Sequence, residues 1–158
     1  FKLEKPVVMQ RIAQLQDGGV RFVQDCVVGK TISFDAIRGQ HDAVVIATGV
    51  YRARDIEAPG VGAAGIVPAL DFLTASNRKG FGDEVPAFDD GTLDARGKRV
   101  VVIGGGDTAM DCVRTAVRQG ALSVRCLYRR DRANMPGSQR ETANAEEEGV
   151  GFVWLSAP

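Results

Sequence analysis

The stretch Arg99-Val100-Val101-Val102-Ile103-Gly104-Gly105-Gly106-Asp107-Thr108-Ala109-Met110-Asp111-Cys112 decides the fold. Its first half is a short apolar run rich in β-branched residues, the pattern of a strand buried in a parallel sheet. From Asp107 to Gln119, residues Ala109, Met110, Val113, Ala116 and Val117 recur on one helical stripe, and Gly120 closes the helix. Between strand and helix, Gly104 to Ala109 reads Gly-x-Gly-x-x-Ala. Gly104 allows a tight turn, Gly106 lets the backbone approach a pyrophosphate, and Ala109 keeps the helix close to the strand. Gly105, Asp107 and Thr108 complete the candidate loop. The amides at the helix start, together with the positive end of its dipole, then face the phosphates. Glycines alone are weak evidence, because ordinary turns use them freely. Here they follow a strand and open a helix, the setting that marks a dinucleotide site. A carboxylate at Asp107 would repel a pyrophosphate unless it turned away, so its expected role is to cap the helix.

Towards the C-terminus, Val124 to Tyr128 reads as a second strand. Ser138 is expected to cap a helix running to Glu148, with Glu141 three residues on in capping-box position. Gly149 ends that helix, and Phe152 to Leu155 forms a third strand. Strands and helices alternate, and crossovers between parallel strands are right-handed. The predicted class is therefore α/β: a Rossmann-like three-layer parallel sheet, of which these elements are half.

The end of the second strand sets nucleotide specificity. An acidic residue roughly 20 positions beyond the glycines holds the ribose 2′-hydroxyl of NAD. Arg129 lies 23 residues after Gly106, in the run Tyr128-Arg129-Arg130-Asp131-Arg132. Guanidinium forks at Arg129, Arg130 and Arg132 suit a 2′-phosphate in charge and in geometry. NADPH is the expected ligand, with Asp131 the one feature that would suit NADH. The competing explanation is a solvated loop with ordinary surface charges.

On the N-terminal side, Gly80 to Gly97 is polar and reads as a surface excursion, and Ala69 to Ser76 as a short helix. Tyr51 to Gly65, with its Pro59-Gly60 turn, reads as a connection between domains. Before it, Asp42 to Gly49 is an apolar strand ending in small residues, and Val20 to Val28 is another strand. Pro6 opens a helix closed by Gly18-Gly19, and Ser33 caps a helical turn over Phe34 to Ile37.

Composition removes several functions. The 158 residues carry 20 Lys plus Arg and 20 Asp plus Glu, so no basic field exists to attract nucleic acid. No signal peptide and no apolar run near the ~20 residues of a membrane span is visible, so a cytoplasmic location is expected. The opening Phe1-Lys2-Leu3-Glu4-Lys5 and the closing Trp154 to Pro158 suggest an internal piece of a longer protein. Cys26, Cys112 and Cys126 have no metal-ligand or Cys-x-x-Cys spacing and read as reduced, mostly buried thiols. No metal site and no catalytic side chain stands out. His41 is expected at the surface, Glu146 to Glu148 as a solvated helix end, and Phe152 and Trp154 in the core. A lack of catalytic side chains suits hydride transfer, in which the protein positions two rings.

The run Val101 to Cys112, followed by Tyr128-Arg129-Arg130-Asp131 and Asn134-Met135-Pro136-Gly137-Ser138, closely resembles the small (beta) subunit of bacterial NADPH-dependent glutamate synthase, within the FAD/NAD(P)-binding pyridine nucleotide oxidoreductases. Ferredoxin:NADP transhydrogenases and dihydropyrimidine dehydrogenase share parts of the pattern. The resemblance implies an oxidoreductase that takes hydride from NADPH onto FAD. Electrons then pass through 4Fe-4S clusters to a large (alpha) subunit that makes glutamate. It implies that Gly104, Gly106, Thr108 and Ala109 cradle the pyrophosphate, and that Arg129, Arg130 and Arg132 hold the 2′-phosphate. The Asp42 to Gly49 run looks like the return strand of an FAD domain, placing Ala47, Thr48 and Gly49 near FAD. Residues 1–49 are thus expected to be a remnant of an FAD-binding, Rossmann-like domain, and residues 50–158 an NADPH-binding domain incomplete at its C-terminal end. The family's cysteine-rich segment and its other FAD motifs do not occur here, so FAD is expected to bind mostly outside these residues, the clusters are not ligated by them, and the isolated piece is expected to be inactive. Three rival readings stand beside this one. A transhydrogenase subunit would share the nucleotide chemistry, and a thioredoxin-reductase-like enzyme would need a Cys-x-x-Cys that Gly104 to Pro158 lacks. A nucleotide-binding or docking module would have no turnover.

Overall fold

A computed structural model describes residues 3–49 and 56–158. The chain divides into two compact units, Phe1–Val50 and Tyr51–Pro158. The expected interdomain connection therefore falls partly outside the described residues, at 51–55, as do Phe1, Lys2 and Val50.

The first unit holds α1 (Lys5–Asp17) and α2 (Phe34–Gln40). Proline sits in the first turn of α1, where its missing N–H costs nothing, and Gly18 follows the last turn. Ser33 caps α2, its hydroxyl accepting from the Ala36 amide over 3.1 Å. The two strands expected here do not form. Neither Val20 to Val28 nor Asp42 to Gly49 joins a ladder, and the Val28–Ile32 bridge stands isolated. Val45 is 87% and Ile46 73% exposed. A parallel strand needs neighbours on its edges and cover on its faces, and the described residues of this unit offer neither.

The second unit comprises α3 (Ala69–Gly80), α4 (Pro86–Asp89), β1 (Arg99–Ile103), α5 (Asp107–Arg118), β2 (Ser123–Tyr128), α6 (Gln139–Glu147) and β3 (Gly151–Trp154). The strands lie in the order β1-β2-β3, all parallel. Ile103 stands beside Leu127 and Tyr128 beside Trp154, so the three strands end together along one edge of the sheet. This is the α/β parallel arrangement that the strand–helix alternation predicts. The described residues supply the sheet and the helices on one of its faces. Val124, Cys126 and Tyr128 alternate onto that covered face and pack with Met110, Val113 and Ala116 of α5 and Ala145 of α6. Val101 and Ile103 point the other way and are exposed.

The polar excursion is docked rather than loose. Val85 and Ala95 are buried, the Ala95 amide donates to the Gln119 Oε1 over 2.8 Å, and Lys79 pairs with Asp89 at 2.5 Å. Its mixed polarity hid these anchors, because each one is a single residue without periodicity.

Candidate functional site

The sheet edge where β1 and β2 end carries the Gly104–Ala109 loop. The Gly104 amide donates to the Leu127 carbonyl over 3.0 Å, which extends the β1–β2 pairing one residue into the turn. Gly104 has a φ of +144°, a conformation open to glycine. Ala109 is buried, and its Cβ lies 3.5 Å from where a Gly104 side chain would start. The helix therefore approaches the strand as closely as the Ala spacing suggested. Gly106 is the N-cap of α5, in extended conformation. A side chain there would meet no atom within 4 Å. Protein packing does not demand glycine at Gly106; the space before the helix mouth is open. Asp107 and Thr108 follow, both exposed, and their amides belong to the first turn, which has no earlier carbonyl to bond.

Gly105 is glycine for a different reason. A Cβ on it would sit 2.5 Å from two ring carbons of Tyr128. The Tyr128 ring thus forms the floor of the loop, and its hydroxyl donates to the Asn134 carbonyl over 3.1 Å. Gly137 packs from another side: its own Cβ would lie 2.9 Å from the Gly105 carbonyl oxygen, to which the Gly137 amide donates over 2.8 Å. Sequence reasoning singled out neither Tyr128 nor Gly137 for the loop. The alternation Val124, Cys126, Tyr128 was the available signal, since it puts the tyrosine on the covered face beside β1.

Asp107 does not cap its own helix. It occupies the first helical position, Gly106 is the cap, and the Asp107 Oδ1 accepts from the Ser138 amide over 2.9 Å. The expected capping box at Ser138 does not form either: Ser138 is the N-cap residue of α6 but makes no side-chain cap bond. Glu141 turns instead to Arg114 of α5, at 2.5 Å from Nη1. Nor is Glu146 to Glu148 simply a solvated helix end. Glu148 accepts from Arg114 and Arg118, Glu146 pairs with Arg132 at 2.8 Å, and of the three only Glu147 is exposed. Those arginines, Arg118 first and Arg114 second, hold the Glu148 carboxyl at a pKa of about 2. A carboxylate that meets buried or half-buried guanidinium groups across 27 to 34 residues of sequence leaves no local trace.

Arg129 and Arg130 are exposed and follow β2 directly, so they stand at the same sheet edge as the glycine loop. Among the described residues their side chains enter no ion pair. Arg132, expected with them, is held by Glu146. Asp131 is also engaged: its Oδ1 accepts from the Asn134 side-chain amide (2.7 Å) and backbone amide (2.9 Å), which lower its pKa. Ala47, Thr48 and Gly49 are exposed residues of the first unit, and Gly49 has a φ of +72°.

His41 is exposed at the end of α2, with Nδ1 2.8 Å from the Ile37 carbonyl. Phe152 and Trp154 stack on each other at 4.9 Å and pack on the core. All three cysteines are free; burial raises the Cys112 thiol to about 12 and the Cys126 thiol to about 11. Cys126 Sγ lies 3.1 Å from the Gly104 carbonyl, where its S–H donates under the turn. Among the described residues no three His, Cys, Asp or Glu side chains are placed to hold a metal ion, and no helix is long and apolar enough to cross a membrane.

The family model for pyridine nucleotide-disulphide oxidoreductases matches residues 9–158. The chain belongs to that family. Over its whole length it is 76% identical to a Cereibacter sphaeroides protein provisionally named a glutamate synthase [NADPH] small chain, and 62% identical to the glutamate synthase [NADPH] small chain of Azospirillum brasilense. It is 34% identical to the NADP(+)-dependent formate dehydrogenase subunit beta of Moorella thermoacetica. The chain covers 38%, 33% and 21% of these three proteins, so it spans well under half of each relative's length. The resemblance to glutamate synthase small chains, noted on the glycine loop and the double arginine, thus extends over all 158 residues.

Proposed function

We propose that this chain binds NADPH at the mouth of α5 as part of a glutamate synthase small subunit. In this reading the amides of Gly106, Asp107 and Thr108 receive the pyrophosphate. Glycine at Gly106 has no packing reason within the protein, since a side chain starting there would meet no atom within 4 Å; a bare backbone at the helix mouth is what a closely approaching pyrophosphate requires. That open position is the observation that carries the proposal. Arg129 and Arg130 hold the 2′-phosphate, making no ion pair among the described residues and standing one strand-end away from the loop. Arg132 would join them only by giving up Glu146. Asp131, the residue that could serve an NADH ribose, has its Oδ1 already taken by Asn134.

FAD, when bound, supplies the hydride acceptor. In the proposal residues 1–49 belong to its domain, with Ala47, Thr48 and Gly49 near it, and residues 50–158 form the NADPH domain. The contribution of the residues described here is to bind the nicotinamide nucleotide, fix its phosphates and choose between NADPH and NADH. Iron–sulfur clusters and a glutamate-forming large subunit complete the electron path that the family resemblance implies. The Moorella relative favours a second reading, in which the same NADPH module serves a different electron partner.

Isothermal titration of the full-length protein tests the nucleotide assignment. Replacing Arg129 and Arg130 with Ala is expected to weaken NADPH binding 100-fold or more, since each charge-assisted bond is worth about 1.5–3 kcal/mol, and to change NADH binding little. Equal losses for both nucleotides would overturn the 2′-phosphate assignment. Glutamine-dependent glutamate formation with the purified large subunit separates the two electron-partner readings.

A further inference from the structure

We infer that Asp107, although it stands at the dinucleotide loop, is a positioning residue: its carboxylate latches the Arg129–Ser138 segment onto the glycine turn and so fixes where the 2′-phosphate arginines stand. This rests on the NADPH assignment above and adds the device that sets its selectivity.

The segment between β2 and α6 is tied down at successive points. At its start the Tyr128 hydroxyl donates to the Asn134 carbonyl, while Asn134 itself donates twice to Asp131. The Met135 amide donates to the Arg132 carbonyl over 3.2 Å, and the Met135 side chain is buried against the core. Its sulfur lies 3.7 Å from the hydroxyl of Thr142, a residue with no exposed surface. At its end two bonds reach the glycine turn, Gly137 N–H to the Gly105 carbonyl and Ser138 N–H to the Asp107 carboxylate. The second is charge-assisted and the stronger of the two kinds. Tyr128 closes the circuit, since its ring also lies under Gly105. One short loop thus carries Arg129 and Arg130 at its beginning and is clamped to the proposed phosphate-facing turn at its end.

The latch also gives a structural reason for an acceptor group at Asp107. A carboxylate in the first turn of a phosphate-binding helix opposes the ligand. Here one of its oxygens is drawn to the amide that opens α6, so the group is spent on an internal contact. The essential property is then an acceptor oxygen at that place. An amide oxygen supplies it as well, without the negative charge.

The test compares Asp107→Asn with Asp107→Ala in the full-length protein. Titration with NADPH and NADH is the first readout, and hydrogen exchange at the Ser138 amide the second. Asp107→Ala is expected to weaken NADPH about 10-fold, to affect NADH less, and to speed Ser138 exchange. Asp107→Asn is expected to restore Ser138 protection and to bind NADPH at least as tightly as the parent. Equal loss in both variants, or unchanged binding in Asp107→Ala, would overturn the latch. If the parent protein binds neither nucleotide, the NADPH assignment fails, and Ser138 exchange alone judges the latch: unaltered protection in Asp107→Ala refutes it. A Gly137→Ala variant, whose new methyl would press on the Gly105 carbonyl, is expected to lower the NADPH/NADH affinity ratio in the same direction. An unaltered ratio there counts against the clamp.

Discussion

Arg114 of α5 donates from both Nε (2.9 Å) and Nη2 (2.7 Å) to one oxygen of Glu148, which stands at the end of α6. Its third contact, Nη1 to Glu141, spans to the start of the same helix. A single guanidinium therefore holds α6 at both ends against α5, the helix whose first turn faces the proposed phosphates. The side chain is 11% exposed, so water screens this cluster far less than a surface pair.

Removing Arg114 should loosen the whole helix pair. Arg114→Ala removes the guanidinium that reaches both Glu141 and Glu148 and is expected to cost about 2–4 kcal/mol, near the lower end of values for breaking a buried pair. Urea denaturation gives the number. Exposed Glu147→Ala is the control and should change stability by less than about 0.5 kcal/mol. A loss at Arg114 no larger than at Glu147 would show that the cluster holds nothing together.

The same cluster predicts an acid-sensitive fold. Glu148 titrates at about 2 in the folded chain, against an ordinary value of 4.5. Between those values the unfolded chain binds the proton that the folded one does not. The stabilisation from Glu148 is thus complete above about pH 4.5 and drains away as pH falls towards 2. Thermal melting across that window should show Tm falling more steeply for the parent than for Glu148→Gln. Parallel curves would remove Glu148 as the cause.

Gly105 and Tyr128 should behave as a coupled pair. Gly105→Ala forces a methyl into the tyrosine ring and is expected to cost about 1–3 kcal/mol. With Tyr128→Ala already in place, the same methyl has room, and the added cost should fall below about 0.5 kcal/mol. A double-mutant cycle measures the difference. Additive costs would mean that the ring can move aside freely, and that the loop is not shaped by it.

Much of the second unit was legible in the chain itself. The apolar run Arg99 to Ile103, the glycines after it and the stripe from Ala109 to Val117 are local signals, and the strand and helix form where they predict. The strands expected at Val20 to Val28 and Asp42 to Gly49 show the limit of the same logic. Apolar, β-branched sequence marks a segment suited to a sheet, but a ladder forms only where another strand offers its N–H and C=O groups. Among the described residues of the first unit none does.

From Arg99 onward, sequence by itself determined the order of strands and helices, the parallel sheet and the place of the glycine turn, because these follow from periodicity and from backbone preferences that act over a few residues. Only the tertiary structure decided how the polar side chains are spent. Asp107 serves Ser138 instead of its own helix, Glu141 and Glu148 serve Arg114, Arg132 serves Glu146, and Gly105 is glycine because of a ring 23 positions away. A charged or hydrogen-bonding group takes whichever partner the fold brings within about 3 Å, and that proximity is set by packing between helices, not by neighbours in the chain.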